Sequence, residues 1–312
     1  MGAALLFVVL AAGIVGAEPG NVKPPIVALA VSPDGREVLA GSQAGVQVLS
    51  LPDLKPQRRL ATKLGHVHDL AFSPDGNLLA VAGGAPAEVG GVEIWEWPAG
   101  KLKATLAAGD DVAYDVAWNV GGTLLAVAGA DRKLRILAVD GAAAKTYEVH
   151  SAAVLAVAWL PADDLVLSAG VDQTIRVVDA AAGKVRRSLD NHTAAVRDLA
   201  VRPGKHDGPL LVASAGADCT VRLWQPTIGR LVRFVRLPSA PTAIGWTLSG
   251  SHVLAACEDG CLRAVDAESV AVTELAPPLN GPAHALAPTG RGRAILGGAG
   301  GVRAESLEAI ER

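Results

Sequence analysis

Short apolar segments and polar turns alternate along most of the chain. In residues 29–42 (LAVSPDGREVLAGS), an apolar segment leads into a Ser-Pro-Asp-Gly turn, and a second apolar segment follows that ends in small residues. Apolar runs of four to eight residues bounded by Gly, Pro and Asp are typical of β-strands joined by tight turns. The pattern therefore predicts two strands in this stretch.

The same pattern occurs seven times. After the copy at 29–42, clear copies cover 70–83, 116–129 and 157–170, and weaker ones cover 199–216, 244–257 and 284–298. The period is about 42 residues, and most copies continue with a third strand, such as LRIL or VRLW, and a more polar fourth strand, such as VRRSL. Four short strands repeated at this period are typical of propeller blades.

The predicted fold is therefore all-β: a seven-bladed β-propeller with four antiparallel strands per blade. It is expected to form one domain over residues 18–312. Its blades are predicted at about residues 26–60, 61–106, 107–149, 150–189, 190–235, 236–275 and 276–312.

The first 17 residues are predicted to be a signal peptide. An uncharged run, Ala3–Val15, precedes Gly16-Ala17 and the polar start Glu18-Pro19, and small residues before such a start are typical of a cleavage site. The run is shorter than the roughly 20 residues needed to cross a bilayer, so no membrane span is expected in the mature chain. Cleavage predicts an exported protein, periplasmic or extracellular. Because no Lys or Arg precedes the run, an uncleaved, cytoplasmic protein is the alternative.

The overall composition limits the class of protein and the kind of partner that can be expected. Half of the residues are hydrophobic, 19% are charged and the net charge is −3, which argues against disorder. The composition gives no sign of a clustered basic face, so no nucleic-acid partner is expected. Cys257 and Cys261 flank a short turn, and they either form a disulfide across a hairpin or remain two free thiols.

The chain resembles the WD-repeat β-propeller family over about residues 26–312. The fourth and fifth copies, which start at His150 and His192, carry the resemblance best, and the Trp that gives the family its name is clear only at Trp95 and Trp224. The stretch around Trp95 also resembles propellers exported by bacteria, some of which are fused to cytochromes; no such fusion is visible in this sequence.

The resemblance implies a structural hydrogen-bonded tetrad in one blade, formed by His192, Ser214, Asp218 and Trp224. It also implies partial versions, formed in the fourth blade by His150, Ser168 and Asp172, with Val178 at the Trp position, and elsewhere by Asp131 and Asp259 alone. Propellers of this family commonly complete their last blade with an N-terminal strand. Here that strand is expected near Val15–Val22, which conflicts with cleavage after Ala17, so we expect weak closure of the ring.

The stretch Ser214–Trp224 (SAGADCTVRLW) also has the residue types of a Ser-His-Asp hydrolase. The spacing recurs in a second copy, however, and no G-x-S-x-G segment is present to expose a nucleophilic serine. The structural interpretation is therefore preferred, and no catalytic residue is predicted.

Three weaker features allow alternative interpretations. His66 and His68 lie on one side of a predicted strand and form a metal pair only if a third ligand exists. The run Gly297–Gly301 is expected to be a hairpin turn and not a phosphate loop. Extra residues at 85–90 and 204–209 are expected to form loops on opposite faces of the disc.

The predicted function is a non-catalytic interaction scaffold, a monomer that binds a protein or peptide and needs no cofactor. No convergent set of titratable groups is apparent across the copies. The alternative is a propeller enzyme or a cofactor-linked, electron-transfer-associated protein with a site in the central channel.

In WD-repeat propellers, binding residues are often found where the first strands begin, around the mouth of the channel. Each copy is predicted to contribute one residue at the first variable position there. In chain order these residues are Val27, His68, Tyr114, Leu155, Arg197, Thr242 and Pro282. The large polar or aromatic members are His68, Tyr114 and Arg197, and Glu258 joins them from a neighbouring turn. These four residues are the predicted binding residues. The alternative is that they are solvated or fill space.

Overall fold

The structure is a computed structural model, and it describes residues 24–86, 89–161, 164–204, 208–290 and 292–310. Within these ranges the regular secondary structure consists of β-strands, arranged in seven antiparallel sheets in which the strands follow one another in chain order. The predicted all-β, seven-bladed propeller is therefore confirmed.

Six of the blades contain four strands each. Blades one to three comprise β1 (Ala28–Val31), β2 (Glu37–Ser42), β3 (Gly45–Ser50), β4 (Pro56–Leu60), β5 (Val67–Phe72), β6 (Leu78–Gly83), β7 (Gly90–Glu96), β8 (Lys101–Gly109), β9 (Ala113–Trp118), β10 (Leu124–Gly129), β11 (Leu134–Ala138) and β12 (Ala144–Tyr147). Blades four to six comprise β13 (Val154–Trp159), β14 (Leu165–Gly170), β15 (Ile175–Asp179), β16 (Val185–Leu189), β17 (Val196–Val201), β18 (Val212–Gly216), β19 (Thr220–Gln225), β20 (Arg230–Arg236), β21 (Pro241–Trp246), β22 (His252–Cys257), β23 (Leu262–Asp266) and β24 (Val272–Ala276).

The seventh blade has three strands in the described part of the chain. They are β25 (Ala283–Thr289), β26 (Arg293–Gly298) and β27 (Gly301–Ser306). The predicted signal peptide, residues 1–17, and the predicted closing strand near Val15–Val22 lie outside the described residues. In the part of the chain that the structure describes, no helix is long and apolar enough to cross a membrane.

The core lies between neighbouring blades. Trp224 of β19 packs with Leu167 of β14 and Val196 of β17, which joins blades four and five. Small residues at the ends of the second strands make room for side chains within a blade. At Gly216, for example, a Cβ atom would overlap the side chains of His192 and Asp218, so glycine is required at this position.

The strand register defines two faces of the disc. Val67 pairs with Gly83 and Val196 pairs with Gly216, so the first strands begin on the face where the second strands end. The extra residues 85–90 lie between a second and a third strand and therefore belong to this face, whereas 204–209 belong to the opposite one. Residues 87–88 and 205–207 of these insertions lie outside the described residues.

Candidate functional site

A buried hydrogen-bonded cluster joins the strands of blade five. His192 Nδ1 lies 2.9 Å from Asp218 Oδ2, and His192 Nε2 lies 2.8 Å from Ser214 Oγ. The indole Nε1 of Trp224 donates to Ser214 Oγ at 2.8 Å. We call His192, Ser214, Asp218 and Trp224 the blade-five cluster. The structure brings together the four residues that the family resemblance singles out.

The partners fix the direction of each hydrogen bond. Because Trp224 donates to the hydroxyl oxygen, Ser214 is free to donate its own proton to His192 Nε2, and His192 Nδ1–H then donates to Asp218. Burial lowers the pKa of His192, which favours this neutral imidazole. Burial alone would raise the pKa of Asp218, but hydrogen bonds from Thr220, the Thr193 amide and His192 outweigh it and lower that pKa.

The cluster has the same succession of hydrogen bonds as a Ser-His-Asp triad, but a substrate cannot reach it. Ser214 has no exposed surface, and His192 is 4% exposed. A nucleophile must come within contact distance of the bond it attacks, and Trp224 already occupies the serine oxygen. The arrangement therefore links strands and does not form a catalytic site.

Blade four contains a closely similar cluster without the indole. His150 Nδ1 lies 3.0 Å from Asp172 and His150 Nε2 lies 2.8 Å from Ser168 Oγ. Val178 fills the position of the tryptophan and is fully buried, as is Ser168. Thr174 also donates to Asp172 at 2.9 Å. Ser168 thus has one fewer buried partner than its counterpart in blade five.

In blades three and six, where the histidine is missing, an arginine of the third strand binds the aspartate. Arg135 donates to Asp131 through both guanidinium nitrogens, and Arg263 donates to Asp259 at 3.0 and 2.7 Å. Sequence reasoning identified the two aspartates but missed their partners. The available signal was an arginine four residues after each aspartate, at the second position of the third strand.

Blade two has a buried glutamate at the equivalent pairing position of its third strand, because Glu93 pairs with Val81 as Arg135 pairs with Val127. Glu93 has no exposed surface; it accepts a hydrogen bond from Trp95 Nε1 at 3.1 Å and one from the Lys63 amide at 2.8 Å. Trp95 was apparent from the sequence, whereas this acceptor was not.

The predicted binding residues lie around the mouth of the central channel. His68 and Tyr114 make an edge-to-face contact with ring centroids 5.4 Å apart. Arg197 and Glu258 form an ion pair at 2.7 Å, in which the Glu258 side chain is 49% exposed. Burial, reinforced by neighbouring His66, lowers the pKa of His68.

The structure corrects one position of this rim. Ala283 pairs with Gly298 as Val67 pairs with Gly83, so the member contributed by blade seven is His284 and not Pro282. His284 lines the channel together with His68, Tyr114 and Arg197. We call His68, Tyr114, Arg197, Glu258 and His284 the channel mouth.

Three aspartates converge inside the channel, which corrects the expectation that no titratable groups would do so. Asp69, Asp115 and Asp198 come from the first strands of blades two, three and five. They line a cavity of about 150 Å³ together with the channel-mouth residues His68, Tyr114, Arg197 and His284. We call these three residues the channel carboxyls. The sequence contains the signal in the matching triplets VHD, AYD and VRD.

Each channel carboxyl connects its blade to the next. Asp69 accepts a hydrogen bond from the Val116 amide at 3.1 Å, and Asp115 accepts one from the Val157 amide at 2.7 Å. Asp198 accepts one from the Ile244 amide at 2.7 Å. The carboxyls therefore fasten adjacent first strands around the ring.

Burial raises the pKa of all three channel carboxyls. The pKa of Asp198 rises to about 7. Asp115 is raised well above its ordinary value, first by burial and then by the charge of Asp69, to which it is hydrogen-bonded. The carboxyl groups of Asp69 and Asp115 lie close together, so the charge of one disfavours ionisation of the other and keeps the pKa of Asp115 raised.

The remaining candidates have ordinary structural roles. In the part of the chain that the structure describes, no group of three His, Cys, Asp or Glu side chains is spaced to hold a metal ion, the His66–His68 pair included. The glycine run at 297–301 forms the hairpin turn between β26 and β27. Cys257 and Cys261 are free thiols, and burial raises the pKa of Cys257 to about 11.

Comparison with known proteins agrees with the fold. The WD domain, G-beta repeat model matches residues 57–85, 100–136, 141–179 and 183–225. Among similar proteins, a nuclear distribution protein nudF of Aspergillus flavus is 36% identical over 26% of this chain and 17% of its own length. A nuclear distribution protein PAC1 of Arthroderma benhamiae is 30% identical over 39% of this chain and 28% of its own length.

A pre-mRNA-processing factor 19 of Bos taurus is 29% identical over 36% of this chain and 22% of its own length. The alignments thus cover less than a third of each relative. The matched repeats and the seven blades together define a WD-repeat β-propeller, and the chain belongs to this family. These relatives are eukaryotic, and nothing in them supports the resemblance to bacterial exported propellers.

Proposed function

We propose that the chain is a non-catalytic interaction scaffold that binds a protein or peptide at its channel mouth. The observation that carries the proposal is the grouping of large polar and aromatic side chains from five blades on one rim. Tyr and Arg are enriched among residues that dominate binding energy.

The rim has two chemically different sides. His68 and Tyr114 offer aromatic surface on blades two and three. Arg197 and Glu258 offer a cation and an anion on blades five and six, and both side chains remain partly exposed, at 29% and 49%. A partner that contacts both sides would bind through apolar and charge-assisted contacts together, which favours a peptide or protein surface over a small apolar ligand.

The proposal predicts that a Tyr114→Ala, Arg197→Ala double variant folds like the wild type but captures its partner at least tenfold less well. The measurement is a quantitative affinity purification with the intact chain as bait, in which wild type and variant are compared by mass spectrometry. The matched control is Arg36→Ala, Val120→Ala, because Arg36 and Val120 are exposed on the opposite face.

Equal loss of the same protein with both double variants would contradict the assignment of the face. Retention of the partner by the channel-mouth variant, combined with its loss on deletion of residues 204–209, would place binding on the opposite face.

The channel carboxyls give one observation in favour of the alternative, an enzyme or cofactor-linked protein. Convergent carboxyls with raised pKa values are common at functional sites. Here, however, each carboxyl accepts a backbone amide of the next blade, which accounts for its position. The alternative predicts that Asp69→Asn, Asp198→Asn abolishes an activity or the retention of a metal while partner capture persists; the scaffold predicts no such effect.

A further inference from the structure

The outer strands of blades one to five are strongly basic. Strands β4, β8, β12, β16 and β20 together contain ten Lys or Arg residues and no Asp or Glu, although the whole chain has a net charge of −3. The ten residues are Arg58, Arg59, Lys101, Lys103, Lys145, Arg186, Arg187, Arg230, Arg233 and Arg236. Folding therefore places positive charge on the circumference of the disc.

Blade five combines this charge with exposed apolar surface. Phe234 in β20 is 56% exposed, and Ile228 in the preceding turn is 62% exposed. In the described ranges, Phe234 is the only aromatic residue among the large apolar side chains that are exposed. The Arg222 guanidinium lies 5.3 Å from its ring centroid.

The arginines of β20 lack compensating partners. Within the described part of the chain, the side chains of Arg230, Arg233 and Arg236 make no hydrogen bond or ion pair, whereas Arg186 in blade four pairs with Asp179 at 2.6 Å. Three uncompensated cations on one strand repel each other, and an anionic partner would remove that repulsion.

The register of β20 sorts its side chains onto two sides. Arg230 pairs with Gln225 and Arg233 with Leu223, whereas Phe234 pairs with Arg222 and Leu231 with Trp224. Because paired residues point to the same side of a sheet, Arg230 and Arg233 lie on one side with Val235, and Leu231 and Phe234 lie on the other with Arg236. One side of the strand thus carries two adjacent cations, and the other carries the exposed Phe234 next to a third cation.

The backbone of β20 also has a free edge. It is the last strand of its sheet, in the order β17-β18-β19-β20, so its outward N–H and C=O groups can pair with an added strand. Charged residues on an edge can serve to prevent aggregation. That role explains the arginines but not an exposed Phe234 and Ile228 on the same hairpin.

We propose that β20 is a second docking edge, separate from the channel mouth, for an extended acidic segment of a partner protein. The segment pairs its backbone with β20, places alternate Asp or Glu side chains beside Arg230 and Arg233, and covers Phe234 with alternate apolar side chains. A polynucleotide offers the charge but lacks the backbone groups that pair with a strand.

The test uses the full chain and a fluorescein-labelled peptide of four Glu-Val repeats, with binding measured by fluorescence anisotropy. We expect Arg230→Glu, Arg233→Glu to weaken binding at least tenfold and Phe234→Ser to weaken it severalfold. The matched control is Lys101→Glu, Lys103→Glu on β8, which changes the net charge equally and should weaken binding less than threefold. Thermal unfolding checks that each variant is folded.

Two further probes separate the sources of anionic charge. A peptide methylated on alternate amide nitrogens should bind at least tenfold more weakly, and a single-stranded dT8 oligonucleotide should bind more weakly than the unmethylated peptide. Equal weakening by the two charge reversals, unchanged binding of the methylated peptide, or tighter binding of the oligonucleotide would each overturn the proposal.

Discussion

The blade-five cluster and the channel carboxyls both place aspartates in a largely buried setting, yet they shift the pKa in opposite directions. Asp218 has a lowered pKa, whereas that of Asp198 rises to about 7. Both carboxyls accept backbone amides, from Thr193 and Thr220 in the first case and from Leu199 and Ile244 in the second.

The difference lies in the deeper burial of Asp198 and in the additional partners of Asp218. Asp218 also accepts hydrogen bonds from the Thr220 hydroxyl and His192, and the Arg222 guanidinium lies 3.4 Å away. Within the described residues, Asp198 has no cationic partner, because Arg197 pairs with Glu258 instead. Two amides alone do not offset burial, so Asp198 keeps a proton that Asp218 releases.

This comparison separates a fixed structural element from a titratable one. Asp218 stays ionised over the whole physiological range and keeps its blade aligned. Asp198 has a pKa of about 7 and lines the channel together with residues of the channel mouth, so its charge there changes near neutral pH. Blade four provides an internal variant of the fixed element, with Val178 in place of Trp224.

The largest expected effect comes from making blade five resemble blade four. Trp224 is 1% exposed and packs between blades four and five. Trp224→Val should lower the free energy of unfolding by about 3 kcal/mol, because it removes buried contacts and leaves a cavity. Urea unfolding followed by far-UV circular dichroism measures this loss. A loss below about 1 kcal/mol would show that the indole contributes little to the cluster.

The next effect is a loss of stability as pH rises towards 7, which Asp198 of the channel carboxyls produces and the blade-five cluster does not. Since the folded-state pKa of Asp198 is raised to about 7, its contribution to stability is complete below its ordinary pKa and is lost as pH rises through 7. Between pH 5 and pH 8, the free energy of unfolding should fall by on the order of 2 kcal/mol more in the wild type than in Asp198→Asn.

The sign is the opposite for the buried histidines. Burial lowers the pKa of His150 and His192, so their contribution is present above pH 6.5 and is lost as pH falls through the lowered values. Comparing wild type with Asp198→Asn at each pH cancels this term. Asp218→Asn is the control. Because the pKa of Asp218 is lowered in the wild type, this carboxyl affects stability only in acid, and the variant should keep most of the wild-type dependence of stability on pH. Identical slopes for wild type and Asp198→Asn would contradict the raised pKa.

The fold could be predicted because its information is local and repeated. Each blade carries its own turn residues, small residues and apolar segments within about 42 positions, so the errors of one copy are corrected by the others. The blade-five cluster was predicted from the family resemblance, and the counterparts of His192, Ser214 and Asp218 in the neighbouring copy favoured a structural role over a catalytic one. The arginine partners of Asp131 and Asp259 are equally local, because each lies four residues after its aspartate.

The channel carboxyls and the basic outer strands depend on the closed ring. Asp69 and Asp198 are distant in sequence and share one cavity only because the first strands converge. The net charge of −3 averages over the chain and conceals the charge of the outer strands. His284 was missed because a two-residue error in the register of the weakest copy placed Pro282 on the rim.

The smallest expected effect tests the comparison between blades four and five directly. Ser214→Ala leaves both Trp224 Nε1–H and His192 Nε2 without their partner, and it should cost about 1–3 kcal/mol. Ser168→Ala leaves only His150 Nε2 without one, because Val178 has no polar group. The second variant should therefore be more stable than the first by about 1 kcal/mol.

Both serines are fully buried and both hydroxyls lie 2.8 Å from a histidine nitrogen, so the removed volume and the histidine contact are matched. Denaturant midpoints at constant slope give the two values. Equal losses would mean that the indole finds another acceptor when Ser214 is removed. A hydrolytic activity that disappears in Ser214→Ala with no change in stability would overturn the structural role of the blade-five cluster.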